Sequence, residues 1–409
     1  METEGTLIIF PNYKRNFIQK IKVINKFKNR IIFIIILFFI GTMAFIITNM
    51  IYKNSFILLN EKLLKLKNEL IQEISNLENI IKLNEQNHNL HKKFNNELLN
   101  ITSFNFKETE NFDQNINERY IKEQNNFCEN QHIFYNKELE DKIKIVDIKF
   151  EDKNYKMYVY KTKDIVSQSI MNNKNYENLE TIHIINALNY YSKKSNIQNQ
   201  DIYIVDIGAN IGWYSFLFGI YGYRIISFEP LEFNYYILKK NFCLNNNSNI
   251  TLINKGLYTE ERICDIHLAV ENEGDAIVIC DKNKNVTYQF YKKIDGKIIL
   301  TKLSNYISFL TTKNLVLIKI DVEGGEGKAI ESGIELITKY HVPFIFMEFT
   351  PVYLKLHDTE PRQFLQLFID NGYNISISNF FENYICIDDI LRNTIEISNL
   401  YIIYSKILK

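Results

Sequence analysis

Between positions 31 and 52 the chain runs for 22 residues without a charge, bounded by Arg30 and Lys53. As a helix at 1.5 Å per residue this run would extend ~33 Å, enough for a bilayer core of about 30 Å. The pattern predicts a membrane-spanning helix. A buried core helix fits poorly, because positions 31–40 are apolar without a break. So does a cleaved signal peptide, whose shorter apolar stretch ends in small residues. Here only Gly41 and Ala44 are small, and the run continues past them. Lys14, Arg15, Lys20, Lys22, Lys26, Lys28 and Arg30 precede the run against Glu2 and Glu4, and mixed charges follow it. The positive-inside rule then predicts a type II single-pass protein with its C-terminal part across the membrane. Leu63, Leu66, Leu70, Leu77 and Ile80 next fall at heptad-like spacing, interrupted at Glu73 and Asn84. This reads as a helical stalk, either a coiled-coil seam joining a homodimer or a solvated spacer. Residues 84–135 are Asn-rich without a clear period and predict a flexible linker. The expected organisation is a basic tail (1–30), a signal anchor (31–52), a stalk and linker (53–135) and a catalytic domain (136–409).

The period changes beyond the linker. Two strands (143–150 and 155–160) and a helix (177–191) lead into short apolar runs that alternate with helical patterns. Strands are expected at 202–205, 223–228, 250–254, 315–320 and 343–349. Helices are expected at 213–220, 231–243, 327–338 and 361–371. Alternation of this kind predicts an α/β fold with a largely parallel sheet. The run 315–320 is nearly continuous in apolar residues, as a strand covered on both faces should be. Strands near 373–378 and 397–404 would close the sheet as an antiparallel pair.

The densest chemistry lies in Asp206-Ile207-Gly208-Ala209-Asn210-Ile211-Gly212, between a predicted strand and a predicted helix. Strand, glycine turn and helix form the element that holds a nucleotide-like cofactor at the edge of a parallel sheet. Glu229 ends the next strand 23 residues after Asp206, near the ~20-residue gap at which an acid grips ribose hydroxyls. A dinucleotide fingerprint has glycines at offsets zero, two and five. Here the offsets are zero and four, and an acid precedes the turn. Asp206 would sit badly beside a pyrophosphate but suits the ammonium and sulfonium end of S-adenosylmethionine. Asp206, Gly208, Asn210 and Gly212 are therefore assigned to the methionine end and turn, and Glu229 to the ribose. A Rossmann-like fold without a ligand is the alternative.

The chain of 409 residues has 48 basic and 48 acidic side chains, hence no net charge. Nothing in that balance points to nucleic acid. Five cysteines (Cys128, Cys243, Cys264, Cys280 and Cys386) show no C-x-x-C spacing, which argues against a zinc cluster. Their odd number leaves at least one unpaired within a monomer. Asn100, Asn246, Asn249, Asn285 and Asn374 head N-x-[ST] sequons, compatible with a lumenal domain.

The segments VDIGANIGWYSF (205–216), ISFEP (226–230) and LIKIDVEGGE (317–326) resemble the FkbM family of S-adenosylmethionine-dependent methyltransferases. A weaker match, Lys163 to Ser167 followed by Asn175-Tyr176-Glu177, resembles the family's lead-in. The likeness covers roughly residues 140 to 400. It implies a seven-strand Rossmann-like sheet, S-adenosylmethionine as donor, and O-methylation of a sugar or other hydroxyl compound. It also implies adenine contacts around Gly256 and Leu257. Strands near 264–270 and 276–279 would form a hairpin or cover on the acceptor side. The chain departs from the family at Leu303-Ser304-Asn305, where a Leu-Asp pair is common, and in the longer polar insert 281–285.

Four acids are predicted at one sheet edge: Asp321, Glu323, Glu326 and Glu348. Asp321 is the candidate for orienting the acceptor or taking its proton, with Glu323 and Glu348 behind it. Glu326 and Glu323 have a competing role as caps of the helix beginning near Gly325. No metal ligand is assigned: a metal-assisted variant needs clustered acids, which exist here, but no histidine joins them in sequence. His357 is read either as a surface residue or as a base. Gly327-Lys328 does not end a phosphate loop, because Val322 stands where its first glycine belongs and Ala329 replaces Ser/Thr. Three functions compete. A membrane-anchored methyltransferase of the secretory pathway, acting on a small-molecule or glycan acceptor, is favoured. A glycosyltransferase of similar layout lacks the usual Asp-x-Asp, and the intact 205–212 and 317–326 segments argue against an inactive scaffold.

Overall fold

The computed structural model describes residues 112–246, 249–269, 272–280, 291–393 and 398–409. The uncharged run 31–52, the heptad segment 63–80 and the insert 281–285 lie outside them. Among the described residues no helix is long and apolar enough to cross a membrane. All described residues belong to the compact unit Asn95–Lys409.

Helix α1 (Gln114–Glu129) comes first, with Asp113 as its N-cap accepting from the Ile116 N–H. This corrects the expected flexible linker over 84–135, whose described part from Phe112 onward carries a helix within the same compact unit as the sheet. The helix lacks an apolar stripe because it buries amides. Gln124 donates to Ile250 O at 3.0 Å and accepts from Leu252 N at 2.7 Å. Asn117 accepts from the Thr251 hydroxyl at 2.8 Å. Gln124 thereby satisfies backbone groups on an edge strand that would otherwise be exposed for pairing, and Asn117 holds a side chain of the same strand.

Next come α2 (Lys137–Lys142), the antiparallel hairpin β1 (Ile143–Phe150) and β2 (Lys153–Tyr160), α3 (Ile165–Asn173) and α4 (Asn178–Ser195). The core alternation follows: β3 (Ile202–Ile207), α5 (Trp213–Ile220), β4 (Arg224–Phe228), α6 (Glu232–Asn245) and β5 (Ile250–Ile253). An inserted sheet contains β6 (Gly256–Leu257), β7 (Arg262–Ala269), β8 (Asn272–Ile279) and β9 (Tyr291–Thr301). The chain then returns through α7 (Ser304–Thr311), β10 (Asn314–Ile320), α8 (Glu326–Glu331), α9 (Glu335–Thr338) and β11 (Phe344–Phe349). It ends with α10 (Pro351–Leu356), α11 (Pro361–Asp370), β12 (Tyr373–Ser376), α12 (Ile387–Asn393) and β13 (Ser398–Tyr404).

The seven-stranded sheet has the order β12-β13-β11-β10-β3-β4-β5. Strands β3, β4, β5, β10 and β11 run parallel, and β13 lies antiparallel to β11 and β12. From β3 the chain moves outward to β4 and β5, then returns to β10 on the other flank. The strand order therefore reverses between β3 and β10, the place where open α/β sheets bind ligands beyond their C-terminal ends. The central strands are buried on both faces, from Ile202 to Ile207 and from Val316 to Ile320, apart from Tyr203.

Strands β7 and β8 form the expected hairpin, and β9, which was not anticipated, pairs with β7. The helix expected over 327–338 is two helices. Gly333 sits at the break, where a Cβ would lie 2.7 Å from the Leu303 side chain. The Ser332 hydroxyl there accepts from the Leu303 N–H at 3.0 Å. A continuous helix would displace the segment that enters α7.

Four cysteines are paired, Cys128 with Cys243 and Cys264 with Cys280, and Cys386 is free. The first bridge ties α1 to α6 across a sequence separation of 115. Closing a loop of that length is worth up to roughly 4–5 kcal/mol. Replacing Cys128 and Cys243 together by Ser should lower the urea midpoint without loss of secondary structure. An unchanged midpoint would show that α1 is held by its amide contacts alone.

Candidate active site

Both loops at the strand-order reversal are shaped by backbone crowding. Gly208, just after β3, has φ +77°, and a Cβ there would lie 1.9 Å from the Asp321 carbonyl oxygen. The glycine turn and the loop after β10 can touch only because Gly208 has no side chain. The Gly208 and Ala209 N–H groups both donate to Phe228 O at 3.0 Å. Asn210 has φ +53°, a conformation that asparagine tolerates. Gly212, at φ +96°, would place a Cβ 2.3 Å from the Phe216 ring and 2.6 Å from Leu238, so its role is packing between helices. Trp213 is buried beside Phe150 and Tyr155 and donates its indole N–H to the Thr181 hydroxyl at 3.2 Å.

Glu229 lies beside the turn at the end of β4. One carboxylate oxygen accepts from Asn210 N and the other from Leu231 N, each at 2.8 Å. Burial lifts its pKa to about 7 although both amides oppose the shift. Glu229 thus straps the glycine turn to the start of α6. The inserted sheet crosses above: Gly274 O in β8 accepts from the side-chain amides of Asn234 at 3.0 Å and Asn210 at 3.4 Å.

Asp206 faces the protein interior rather than the turn. It is buried, accepts from the Ser215 hydroxyl at 2.5 Å, and lies 3.6 Å from the Lys319 ammonium. Burial pushes its carboxyl up, with Lys319 and Ser215 opposing. Lys319 was missed in the sequence, yet a signal existed. A lysine inside an apolar strand covered on both faces must find a partner. Its ammonium donates to Gly208 O at 3.1 Å, lies 3.4 Å from Asp321 Oδ2, and stands 5.3 Å from the Tyr214 ring centroid. Burial pulls the group down, but Asp321, Asp206 and Glu177 outweigh it and hold it above the ordinary lysine range.

The acids predicted at the sheet edge do come together. Carboxylate oxygens of Asp321, Glu323 and Glu348 lie within 4.8 Å of one another, a spacing that a divalent cation could bridge. Burial, then the charges of Asp275, Glu348 and Asp321, push Glu323 well above the ordinary carboxylate range. Glu348 is raised likewise by burial and then by Asp321 and Glu326. Glu326 is a loop cap: one oxygen accepts from the Val322 and Gly324 N–H groups at 3.2 Å. Burial lifts it to about 7 against those amides. His357 is the C-cap of α10, its N–H on Leu354 O. Glu177 was not assigned from sequence. It precedes α4, accepts from the Tyr214 hydroxyl at 2.6 Å, and is lifted to about 7 by burial and then by Asp321.

Glu177, Glu229 and Glu326 are each raised from 4.5 to about 7. Their folded forms hold protons that the unfolded chain releases. The associated stability is full below about pH 4.5 and is lost as pH rises through about 7. The unliganded protein should therefore lose several degrees of Tm between about pH 5 and pH 7.5, read by scanning calorimetry. A flat or rising Tm in that window would contradict these assignments.

A cavity of about 510 Å³ lies at the opposite edge, lined by Gln198, Asp201, Arg224 and Lys313 among others, where β3, β4 and β10 begin. Its position at the N-terminal strand ends does not fit cofactor chemistry in this sheet type. The carboxylates and the glycine turn, rather than cavity size, locate the site.

Residues 206–375 match the model of the methyltransferase FkbM domain. No curated protein matches the sequence. Solved structures align at low similarity. A protein of the NADB-Rossmann superfamily from Streptococcus agalactiae is 13% identical, covering 53% of this chain and 67% of its own, with a TM-score of 0.28. The human methyltransferase 10 domain containing protein is 13% identical, with coverage of 54% and 80% and a TM-score of 0.27. TYW2 of P. horikoshii, in complex with MeSAdo, is 12% identical, with coverage of 64% and 72% and a TM-score of 0.29.

Proposed function

We propose that this chain, an S-adenosylmethionine-dependent methyltransferase whose residues 206–375 match the FkbM methyltransferase domain, O-methylates a sugar, glycan or other hydroxyl compound at a membrane of the secretory pathway. The observation that carries the reading is the meeting of the Gly208 turn with the acid-bearing loop after β10.

The residues suit a cationic donor. Glu177, Glu229, Asp321, Glu323 and Glu348 gather near the turn, and Lys319 is the cation set among them. S-adenosylmethionine supplies a methyl group activated by the positive sulfur. Glu229, at the end of β4, is the acid assigned to the ribose. Asp321 stands where the two loops meet and is the group to orient a hydroxyl and take its proton. The in-line geometry of such a displacement makes orientation a large part of the rate. Gly274 and the rest of β8 form the acceptor-side cover, which also limits water.

The compartment is argued from the disulfides. Cys128–Cys243 and Cys264–Cys280 are bonds of an oxidising environment. That accords with the uncharged run 31–52 as a type II anchor, and the heptad segment offers a route to a homodimer. Incubating the full-length chain with methyl-labelled S-adenosylmethionine and a panel of glycosides, glycans and phenols tests the proposal. Mass spectrometry should find one added methylene on a hydroxyl compound. Labelling confined to amine or thiol acceptors would refute the O-methylation reading.

A further inference from the structure

We infer that Lys319 is a positioning residue that couples the donor-side glycine turn to the acid loop, so that ordering one orders the other. The inference rests on the donor-binding reading above and adds a role for a side chain that reading does not use.

The geometry follows from strand register. Lys319 of β10 is paired with Asp206 of β3, and Ile320 with Ile207. The two strands therefore end level, and the Asp321 N–H donates to Ile207 O at 3.0 Å. An ammonium at this height reaches the residue two positions ahead on either strand. Those residues are Gly208, whose carbonyl it meets at 3.1 Å, and Asp321, whose carboxylate it meets at 3.4 Å. One belongs to the turn that would face the donor, the other to the loop that would face the acceptor. The Tyr214 ring beside the ammonium carries the connection on to Glu177 through its hydroxyl.

Energetics argue against a purely structural purpose. A side chain only 5% exposed in a central strand could be apolar. Replacing buried ion pairs by well-packed apolar residues is often neutral or stabilising. What an apolar residue could not do is hold a carbonyl of one loop and a carboxylate of the other at a single point. Both loops also carry positive-φ residues, Gly208, Asn210 and Gly212 in one and Glu323 and Gly324 in the other. A shared electrostatic pin restrains two such segments together.

The test uses S-adenosylmethionine itself and needs no acceptor. Hydrogen exchange is followed by mass spectrometry in the full-length chain, with and without the donor, in wild type and Lys319→Met. In wild type, donor should slow exchange about tenfold in both 205–212 and 321–326. In Lys319→Met, protection of 205–212 should persist while that of 321–326 falls below about twofold. Should Lys319→Met not fold, Asp206→Asn with Lys319→Met removes the pair as a unit, with Asp206→Asn alone as control. The same loss confined to the double variant supports the coupling.

A merely structural role would loosen both segments without donor and leave the donor-dependent difference intact in each. That result overturns the inference. So does equal protection of 321–326 in wild type and variant. Failure of wild type to bind donor, seen as no calorimetric heat and no protection of 205–212, overturns the functional reading as well. Binding with unchanged coupling overturns this inference alone.

Discussion

Replacing Asp321 by Asn should lower methyl transfer by roughly two to three orders of magnitude, the range expected for loss of a positioned general base. S-adenosylmethionine affinity should stay within about threefold, since the carboxylate faces the acceptor loop in this reading. The substitution keeps the shape and the Ile207–Asp321 backbone bond. Asn can still accept from Lys319, so the ammonium is not left without an oxygen, although the charge balance changes. What disappears is a second oxygen able to take a proton. Burial and like charges push the neighbouring Glu323 and Glu348 well above the ordinary carboxylate range. The measurement is single-turnover methyl transfer to the acceptor identified by mass spectrometry, with donor affinity from calorimetry. Activity within about threefold of wild type would remove Asp321 from the chemistry.

Glu229→Ala should weaken donor binding by one to two orders of magnitude and, unlike a simple contact residue, destabilise the fold. Its two oxygens accept from Asn210 and Leu231. Alanine would leave those N–H groups unsatisfied in a buried place, at about 1–3 kcal/mol each. The sequence assigns Glu229 to the ribose alone. The structure adds a second role, because this carboxylate holds the glycine turn. Glu229→Gln separates the two roles. The amide keeps one acceptor for the turn, so Tm should recover most of the loss, while donor affinity stays reduced by about tenfold. Calorimetric affinity equal to wild type in both variants would end the ribose assignment.

Much of the catalytic domain was legible because its signals are local. Continuous apolar runs marked β3, β10 and β11, and the glycine turn and the acid-rich loop stood in plain view after two of them. Helix α1 was not legible. Its buried face presents Asn117, Gln124 and Phe127, so hydrophobic periodicity could not find it, and its polar residues make sense only against the edge of β5. The break between α8 and α9 was hidden for a similar reason, since it answers to Leu303, thirty residues earlier.

The active site divides along the same line. From its own residues the chain declared an α/β fold, a donor with a cationic end, and acids at the strand ends, because a turn or a strand end is defined by a few neighbours in sequence. Tertiary structure alone decided that Asp206 pairs with Lys319, that Glu177 joins from the start of α4, and that Glu326 caps a loop. It also chose the partners of four cysteines. Burial and the direction of a side chain depend on residues a hundred positions apart, and no local pattern carries that information.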